Sequence, residues 1–367
     1  MNDQDYMRLA LEEAWKGCGF VNPNPMVGAV IVKNGCVIGR GAHERYGGPH
    51  AERNAIAHCT EDLQDATLYV TLTPCCHFGK TPPCTDVVLE NGIRRVGIGS
   101  HDPNPLVAEK SIEILRQHGV EVTTGILQQE CDALNDAFFH FIRIHRPYVV
   151  MKYAMTMDGK VATASGKSKW ITGELARERV HLDRKRYAAI LTGIGTVLAD
   201  DPLLTCRIPG GRDPVRIVCD TKLRIPLTAQ IVKTAEKTRT IIVTGSGDDK
   251  KRSLLKQAGC EILTVTVENG RIDLKALMKQ LGEMAIDSIL MEGGPQMNGA
   301  ALESGIVNKI QAYVAPKLFG GQQAKTPVGG TGVDSPEKAW RLSAPVITKL
   351  GQDILLESEV VSCLQEL

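Results

Sequence analysis

Apolar positions along the 367-residue chain recur at two spacings, and together they divide it into short helices and strands. Met7, Ala10, Leu11 and Ala14 share one helical face, which predicts a helix over 4–17 ending near Gly17. The runs Val27–Val32 and Val37–Gly39 flank Lys33-Asn34-Gly35-Cys36, a strong hairpin signal. His50 opens a predicted helix through Ala51, Ala55 and Ile56. Thr67–Thr71 reads as a short buried strand leading into Pro74-Cys75, and Pro83-Cys84 marks another helix start. Strands at 95–99 and 121–124 bracket a helix over 111–118, and a helical run follows from about 130 to 144. Arg146-Pro147 stops that run before a fresh strand at Tyr148–Met151. Further strands are expected at Ala188–Thr192, Val215–Cys219, Thr240–Val243, Glu261–Val265, Ser288–Met291 and Gln311–Val314, with helices between several of them. The pattern predicts two α/β domains, 1–146 and 147–367, without an internal repeat.

Composition narrows the classes. Hydrophobic residues make up 43% and charged residues 23%, an ordinary globular balance. With 43 basic and 42 acidic residues the net charge is +1, so neither nucleic acid nor an anionic membrane is expected as the main partner. The start, MNDQDYMRLALEEAW, reads as a first helix rather than a signal peptide, and no apolar run suggests a membrane span. Eleven cysteines at irregular spacing then read as reduced thiols of a cytoplasmic protein.

Pairs of His, Glu and Cys carry the clearest chemistry. A lone His50-x-Glu52 is common by chance, but here it is joined by Pro74-Cys75 and Pro83-Cys84. Three soft ligands with one unattached carboxylate suit a catalytic zinc, whose fourth position is left to a water with its pKa pulled down to about 7. Glu52 would then move that water's protons, as in hydrolytic deaminases. A structural zinc would usually close with a fourth protein ligand and has no use for Glu52. The usual signature has two residues between its cysteines, whereas eight separate Cys75 from Cys84. On that insertion His77, Lys80 and Thr81 could hold a phosphate, or the segment could be an ordinary solvated loop. Cys75 is preferred to Cys76 as ligand because it directly follows Pro74, and His43, His58 and Cys59 read as structural or exposed. Asn24, in Asn22-Pro23-Asn24-Pro25, is either part of a turn or an amide that reads a heterocycle edge.

In the second half Gly193-Ile194-Gly195 begins a dinucleotide fingerprint, but Leu198 leaves it incomplete. The strand ending in Met291-Glu292-Gly293-Gly294-Pro295 says more. Its glycines permit close approach of a ligand, and the helix start offers free amides to a phosphate. Lys152, Ser168, Arg184 and Arg207 could together bind a phosphorylated sugar. Lys222 and Arg224, after the strand ending at Cys219, are candidate partners for a cofactor 2'-phosphate.

With these motifs on both halves, the chain resembles the bifunctional riboflavin biosynthesis proteins, a pyrimidine deaminase joined to a pyrimidine reductase. Asn22–Gly28, Pro49–Glu52 and Thr73–Cys84 carry the first half of the resemblance. Ser168–Thr172, Thr196–Pro202 and Glu292–Pro295 carry the second. The resemblance implies a cytidine-deaminase-like three-layer α/β/α domain followed by a dihydrofolate-reductase-like α/β domain. It implies zinc on His50, Cys75 and Cys84, with Glu52 as proton shuttle and Asn24, His77, Lys80 and Thr81 on the substrate. It implies NADPH against Ala154, Trp170, Thr196, Asp200 and Gly294, Pro295, Gln296, Met297, Asn298, Gly299 and Ala300. Ser168, Arg184, Leu204, Arg207 and Glu292 would meet the second substrate, with Lys152 and Glu292 polarising the ring-opening nitrogen. The implied reactions are hydrolysis of the 2-amino group of 2,5-diamino-6-(5-phospho-ribosylamino)pyrimidin-4(3H)-one, then reduction of its ribosyl chain to ribityl. The expected partner is thus a small phosphorylated pyrimidine, with self-association into a homo-oligomer. Thr73-Pro74-Cys75-Cys76 and Thr156-Met157-Asp158-Gly159 depart from the family's usual Glu-Pro-Cys-Ser and Ser-Leu-Asp-Gly, without removing a ligand or the shuttle. A nucleic-acid base deaminase would share the zinc chemistry, but 4% aromatic content argues against a base-stacking groove.

Overall fold

The computed structural model describes residues 1–78, 82–103 and 108–361, and the chain divides into two compact units, Met1–His145 and Arg146–Leu367.

The first unit runs α1 (Asp3–Ala14), β1 (Gly28–Lys33), β2 (Cys36–Ala42), α2 (Ala51–Ala57), β3 (Thr67–Leu72), α3 (Cys84–Glu90), β4 (Arg95–Ser100), α4 (Ala108–Gln117), β5 (Glu121–Thr123), α5 (Gln128–Leu134) and α6 (Asp136–Ile144). Its sheet has the order β2-β1-β3-β4-β5, antiparallel in β2-β1-β3 and parallel from β3 to β5. Alternation along the strands sends apolar side chains to both faces. Ala29, Ile31, Leu68, Val70, Val96 and Ile98 pack under α2, α3 and α4. Val30, Val32 and Tyr69 meet Tyr6, Met7 and Ala10 of α1 on the other face. This is a three-layer sandwich. Asn2 caps α1 through a capping box with Asp5, which fixes the helix start that periodicity alone left loose. The expected single helix over 130–144 is two helices, interrupted at Asn135. That side chain is buried and exchanges two hydrogen bonds with the backbone of Met26.

The second unit runs β6 (Tyr148–Thr156), α7 (Glu174–Arg186), β7 (Ala189–Gly193), α8 (Ile194–Asp200), β8 (Val215–Cys219), α9 (Gln230–Lys233), β9 (Thr240–Thr244), α10 (Asp249–Gln257) and β10 (Glu261–Thr264). It continues with β11 (Val267–Glu268), β12 (Arg271–Ile272), α11 (Leu274–Glu283), β13 (Ser288–Met291), α12 (Pro295–Glu303), β14 (Lys309–Ala315), β15 (Val346–Leu350) and β16 (Asp353–Glu359). Nine strands form one sheet in the order β10-β9-β8-β7-β13-β6-β14-β16-β15, parallel except for β14-β16-β15. The near-continuous apolar runs of β6 to β9 and β13 are buried on both faces, as a helix-covered parallel sheet requires. Sequence periodicity missed β15 and β16. β15 is exposed or intermediate throughout, and β16, with its polar residues Asp353, Glu357, Ser358 and Glu359, buries only Asp353, Leu355 and Ser358, so neither carries a clear apolar alternation. Among the described residues, no helix is long and apolar enough to cross a membrane.

Candidate functional sites

In the first unit the C-terminal end of the central strand β3, beside the starts of α2 and α3, brings three ligand atoms together. His50 is the extended N-cap of α2, Cys75 follows β3 and Cys84 is the first residue of α3. The amides of Cys84 and Thr85 donate to the Cys75 carbonyl at 3.0 and 3.1 Å, so the start of α3 folds onto Cys75. The Cys84 amide also lies 3.4 Å from Cys75 Sγ, where it supports a thiolate. His50 Nδ1 is 3.5 Å from Cys75 Sγ and 3.4 Å from Cys84 Sγ, and all three ligand atoms lie within 4.8 Å of one another. Tetrahedral Zn–N and Zn–S bonds place such N and S atoms about 3.6 Å apart, so the residues fit the metal. Cys75 belongs to this cluster and Cys76 does not.

Glu52 stands in the first turn of α2, only 3% exposed. Burial pushes its carboxyl above the usual carboxylate range, against the pull of His50. Its neighbour Arg53 donates to the carbonyls of Pro82 and Pro83 at 3.2 and 3.1 Å, pinning the end of the insertion that leads to Cys84. Thr73, one of the departures, donates to the Ser100 carbonyl and accepts from the Asp102 amide, so it ties the approach to Cys75 to the end of β4.

His43, which the sequence reads as structural or exposed, is buried beside Asn24. Its Nε2 lies 3.2 Å from Asn24 Nδ2 and its Nδ1 3.0 Å from the Pro49 carbonyl. Burial lowers its pKa, so the neutral ring donates from Nδ1 to Pro49 and accepts at Nε2 from the Asn24 amide. That orients the amide. No spacing in the sequence links residues 24 and 43; only the β1-β2 hairpin does. His77 is exposed, and Lys80 and Thr81 lie outside the described residues.

The second unit holds a cavity of about 990 Å³. Lys152, Ala154, Ser168, Trp170, Arg184, Thr196, Asp200, Leu204, Arg207 and Glu292 all line it, as do Gly294, Pro295, Gln296, Met297, Asn298 and Ala300. Gly299 does not. It faces the Gly329 carbonyl so closely that a Cβ has no room, which makes it a packing glycine. Arg224 lines the cavity, but Lys222 is absent from its wall, because the turn holding Leu223 at φ 50° separates the two.

Glu292 is the electrostatic centre of this cavity. Arg184 grips it as a fork, Nε to Oε1 at 2.7 Å and Nη2 to Oε2 at 3.0 Å, while Lys152 Nζ stands 3.6 Å from Oε2. Burial would raise the carboxyl, but the two cations overcome it and hold the pKa at about 2. Lys152 also lies over the Tyr313 ring, 5.6 Å from its centroid. The segment carrying Leu204 and Arg207 is pinned at four points. Arg216 donates to the Leu203 carbonyl, Arg184 to the Thr205 carbonyl, the Cys206 amide to Asp213, and the Arg207 amide to His181 Nδ1. Leu204 sits in the left-handed region at φ 54°, which turns the segment into the cavity. His181, on the cavity wall, has its pKa lowered to about 4 by desolvation and by Arg184 and Arg207. His181, Tyr313 and Arg271 line the cavity without having been singled out in the sequence, where none carries a motif. The Thr156–Gly159 turn is held by Asp158, which accepts from Phe319 and Gly320, so the Met157 departure costs it no bond.

A buried carboxylate beside a His-Cys-Cys cluster, followed by a parallel-sheet unit with a cofactor-sized cavity, defines a zinc-dependent deaminase joined to a reductase. The family models agree: residues 1–100 match the cytidine and deoxycytidylate deaminase zinc-binding region, and residues 147–356 match the RibD C-terminal domain. The chain is 56% identical to riboflavin biosynthesis protein RibD of Actinobacillus pleuropneumoniae, over 99% of this chain and 96% of that one. It superposes on RibD of Acinetobacter baumannii with a TM-score of 0.85 at 36% identity, covering 97% of this chain and 98% of that one. It superposes equally on the diaminohydroxyphosphoribosylaminopyrimidine deaminase/5-amino-6-(5-phosphoribosylamino)uracil reductase of Thermotoga maritima, with a TM-score of 0.86, 37% identity and 98% of each chain covered. The chain belongs to the RibD family of bifunctional riboflavin biosynthesis proteins.

Proposed function

We propose that the first unit deaminates 2,5-diamino-6-(5-phospho-ribosylamino)pyrimidin-4(3H)-one and that the second reduces the ribosyl chain of the resulting 5-aminouracil to ribityl with NADPH. The observation that carries the first half is the fully buried Glu52 beside three ligand atoms of zinc-compatible spacing. Zinc held by His50, Cys75 and Cys84 supplies a water acidic enough to act as nucleophile near neutral pH. Glu52, as the carboxylate, would take a proton from that water and, as the carboxylic acid, pass it to the departing exocyclic nitrogen. Asn24, oriented by His43, reads the adjacent ring N and O atoms. His77, Lys80 and Thr81 bind the substrate's phosphate in this reading.

In the second unit NADPH supplies a hydride, bound against Ala154, Trp170, Thr196, Asp200 and the Gly294–Ala300 segment. Arg184 and Arg207 bind the phosphate with Ser168, and the backbone at Leu204 shapes the sugar's seat. Lys152, anchored by Glu292, lends positive charge to the ring-opening nitrogen. Glu292 itself stays ionised, which keeps Arg184 and Lys152 in place. The free cysteines fit a reducing cytoplasm. Homo-oligomerisation belongs to the same reading, supported by Val346 and Ile347 exposed on the edge strand β15; sedimentation velocity tests it.

The deciding experiment gives zinc-loaded protein the diaminopyrimidine phosphate without NADPH, then adds NADPH. Ammonia should appear in the first stage and NADPH should disappear only in the second. Ammonia that fails to form, or NADPH oxidised without ribityl product, overturns the corresponding half.

A further inference from the structure

Strands of a helix-covered parallel sheet bury both faces and carry mainly apolar side chains. β8 departs from this with Arg216, which is fully buried. Among the described residues no carboxylate comes within ion-pair distance of it, and its donors end on neutral oxygens. Nε and Nη2 donate to Thr240 Oγ1 at 3.0 and 2.6 Å, and Nη1 donates to Thr234 Oγ1 at 2.7 Å and to the Leu203 carbonyl at 3.2 Å. Nη2 also donates to the Ile231 and Thr238 carbonyls at 3.0 and 2.9 Å. The Thr234 and Thr240 hydroxyls direct their own protons to the Gln230 and Thr238 carbonyls, which leaves their lone pairs for the guanidinium. Taking a cation out of water is unfavourable, and a well-packed apolar side chain is often as stable in such a place. Stability alone does not call for an arginine here.

Geometry does. Of the partners of Arg216, Leu203 alone lies on the wall of the cavity. The segment that begins there is held again at Cys206, whose amide donates to Asp213 Oδ1 at 2.8 Å, while Asp213 Oδ2 accepts from the Thr238 hydroxyl at 3.0 Å. Thr238 therefore joins the two anchors, its carbonyl taken by Arg216 and its hydroxyl by Asp213. Between the anchored residues Leu204 stands at φ 54°, and its side chain is buried in one apolar cluster with Ile231 and Val232. A leucine keeps such a conformation only where its surroundings over-determine it. Arg207 follows at once on the cavity wall, whereas Asp213, Arg216 and Thr238 do not reach that wall.

We propose that Arg216 and Asp213, bridged by Thr238, are positioning residues of the reductase unit: they hold the 203–206 backbone in the conformation that presents Leu204 and Arg207 to the phosphorylated substrate. This rests on the reading that Leu204 and Arg207 meet that substrate. None of the three residues touches it, so their loss should act on substrate binding and leave the cofactor alone.

The test is steady-state reduction of 5-amino-6-(5-phospho-ribosylamino)uracil by the full-length protein, with deuterium uptake of the 203–207 backbone measured without substrate. Asp213→Ala should raise KM for this substrate by about 10-fold and Thr238→Val by about 5-fold, as loss of one charged or one neutral hydrogen bond does, with kcat and KM for NADPH unchanged. Asp213→Asn keeps an oxygen for the Cys206 amide and should recover most of the loss. Arg216→Lys keeps the charge but cannot reach Leu203 and the threonines together, and should raise the same KM; where that variant does not fold, Thr234→Val, which removes one acceptor, serves instead. Deuterium uptake should rise at 203–207 in each variant that raises KM. An unchanged KM in Asp213→Ala overturns the proposal, even if uptake rises. So does a fall in kcat, NADPH binding and melting temperature together, which is the mark of a merely structural role. If wild type does not oxidise NADPH with this substrate, the reductase reading fails and the positioning role with it.

Discussion

The two sites are assembled on different scales. In the first unit three ligand atoms and one carboxyl come from two helix starts and one strand end, with no ligand atoms more than 4.8 Å apart. In the second, a cavity of about 990 Å³ draws on segments from Lys152 to Pro327. A metal concentrates charge at one point, so a handful of side chains within bonding distance suffices. A dinucleotide and a phosphorylated sugar are long, and their chemistry is spread over many weak contacts. The first site therefore depends on a few irreplaceable atoms, while the second depends on a network in which single losses are graded.

That contrast can be broken most sharply by chelation. Removing the metal with a strong chelator should abolish ammonia release while leaving reduction of the already deaminated substrate intact. Reduction that falls equally would show that the sites are not independent. Next in size, Glu52→Gln should retain zinc by metal analysis yet lower deamination by about 10²- to 10⁴-fold, the range for a general acid-base group. A loss of zinc with it would instead make Glu52 a structural support of the cluster.

The second site should yield by degrees. Lys152→Met should lower kcat for reduction by about 10²-fold, with NADP⁺ affinity unchanged in a binding titration. Arg184→Lys keeps the charge but loses the fork on Glu292 and the bond to the Thr205 carbonyl, so KM for the phosphorylated substrate should rise by about 10-fold. An unchanged KM would remove Arg184 from substrate binding.

The smallest effect concerns His181, whose folded pKa of about 4 lies below its unfolded value near 6.5. The unfolded chain therefore binds the proton more readily. Stability is fully present above pH 6.5 and is lost as the pH falls toward 4. Because the ring is partly solvated, screening reduces the loss between pH 7 and 5 to about 1 kcal/mol. Urea unfolding at the two pH values should show that loss in wild type and a smaller one in His181→Asn; equal losses would assign it to other groups.

How much of this could be read in advance varied with range. The hairpin at Asn34-Gly35, the strand Val215–Cys219 and the helix start at Cys84 follow from local rules, and the structure has them there. The break at Asn135 did not, because its cause is a pair of hydrogen bonds to Met26, 109 residues away. Nor did β15, exposed along its length, and β16, rich in polar residues, which pairing with β14 and with each other defines as strands.

By itself the sequence determined the metal chemistry, because His50, Glu52 and Cys84 sit at helix starts that local backbone rules place, and Cys75 follows the end of a buried strand. It also determined the two-domain α/β plan, which hydrophobic periodicity writes into every segment. Tertiary structure alone decided that His43 orients Asn24. It also removed Gly299 and Lys222 from the cavity wall and brought His181, Tyr313 and Arg271 to it. Each of these depends on where a side chain points after distant strands have paired, and no spacing along the chain encodes that direction.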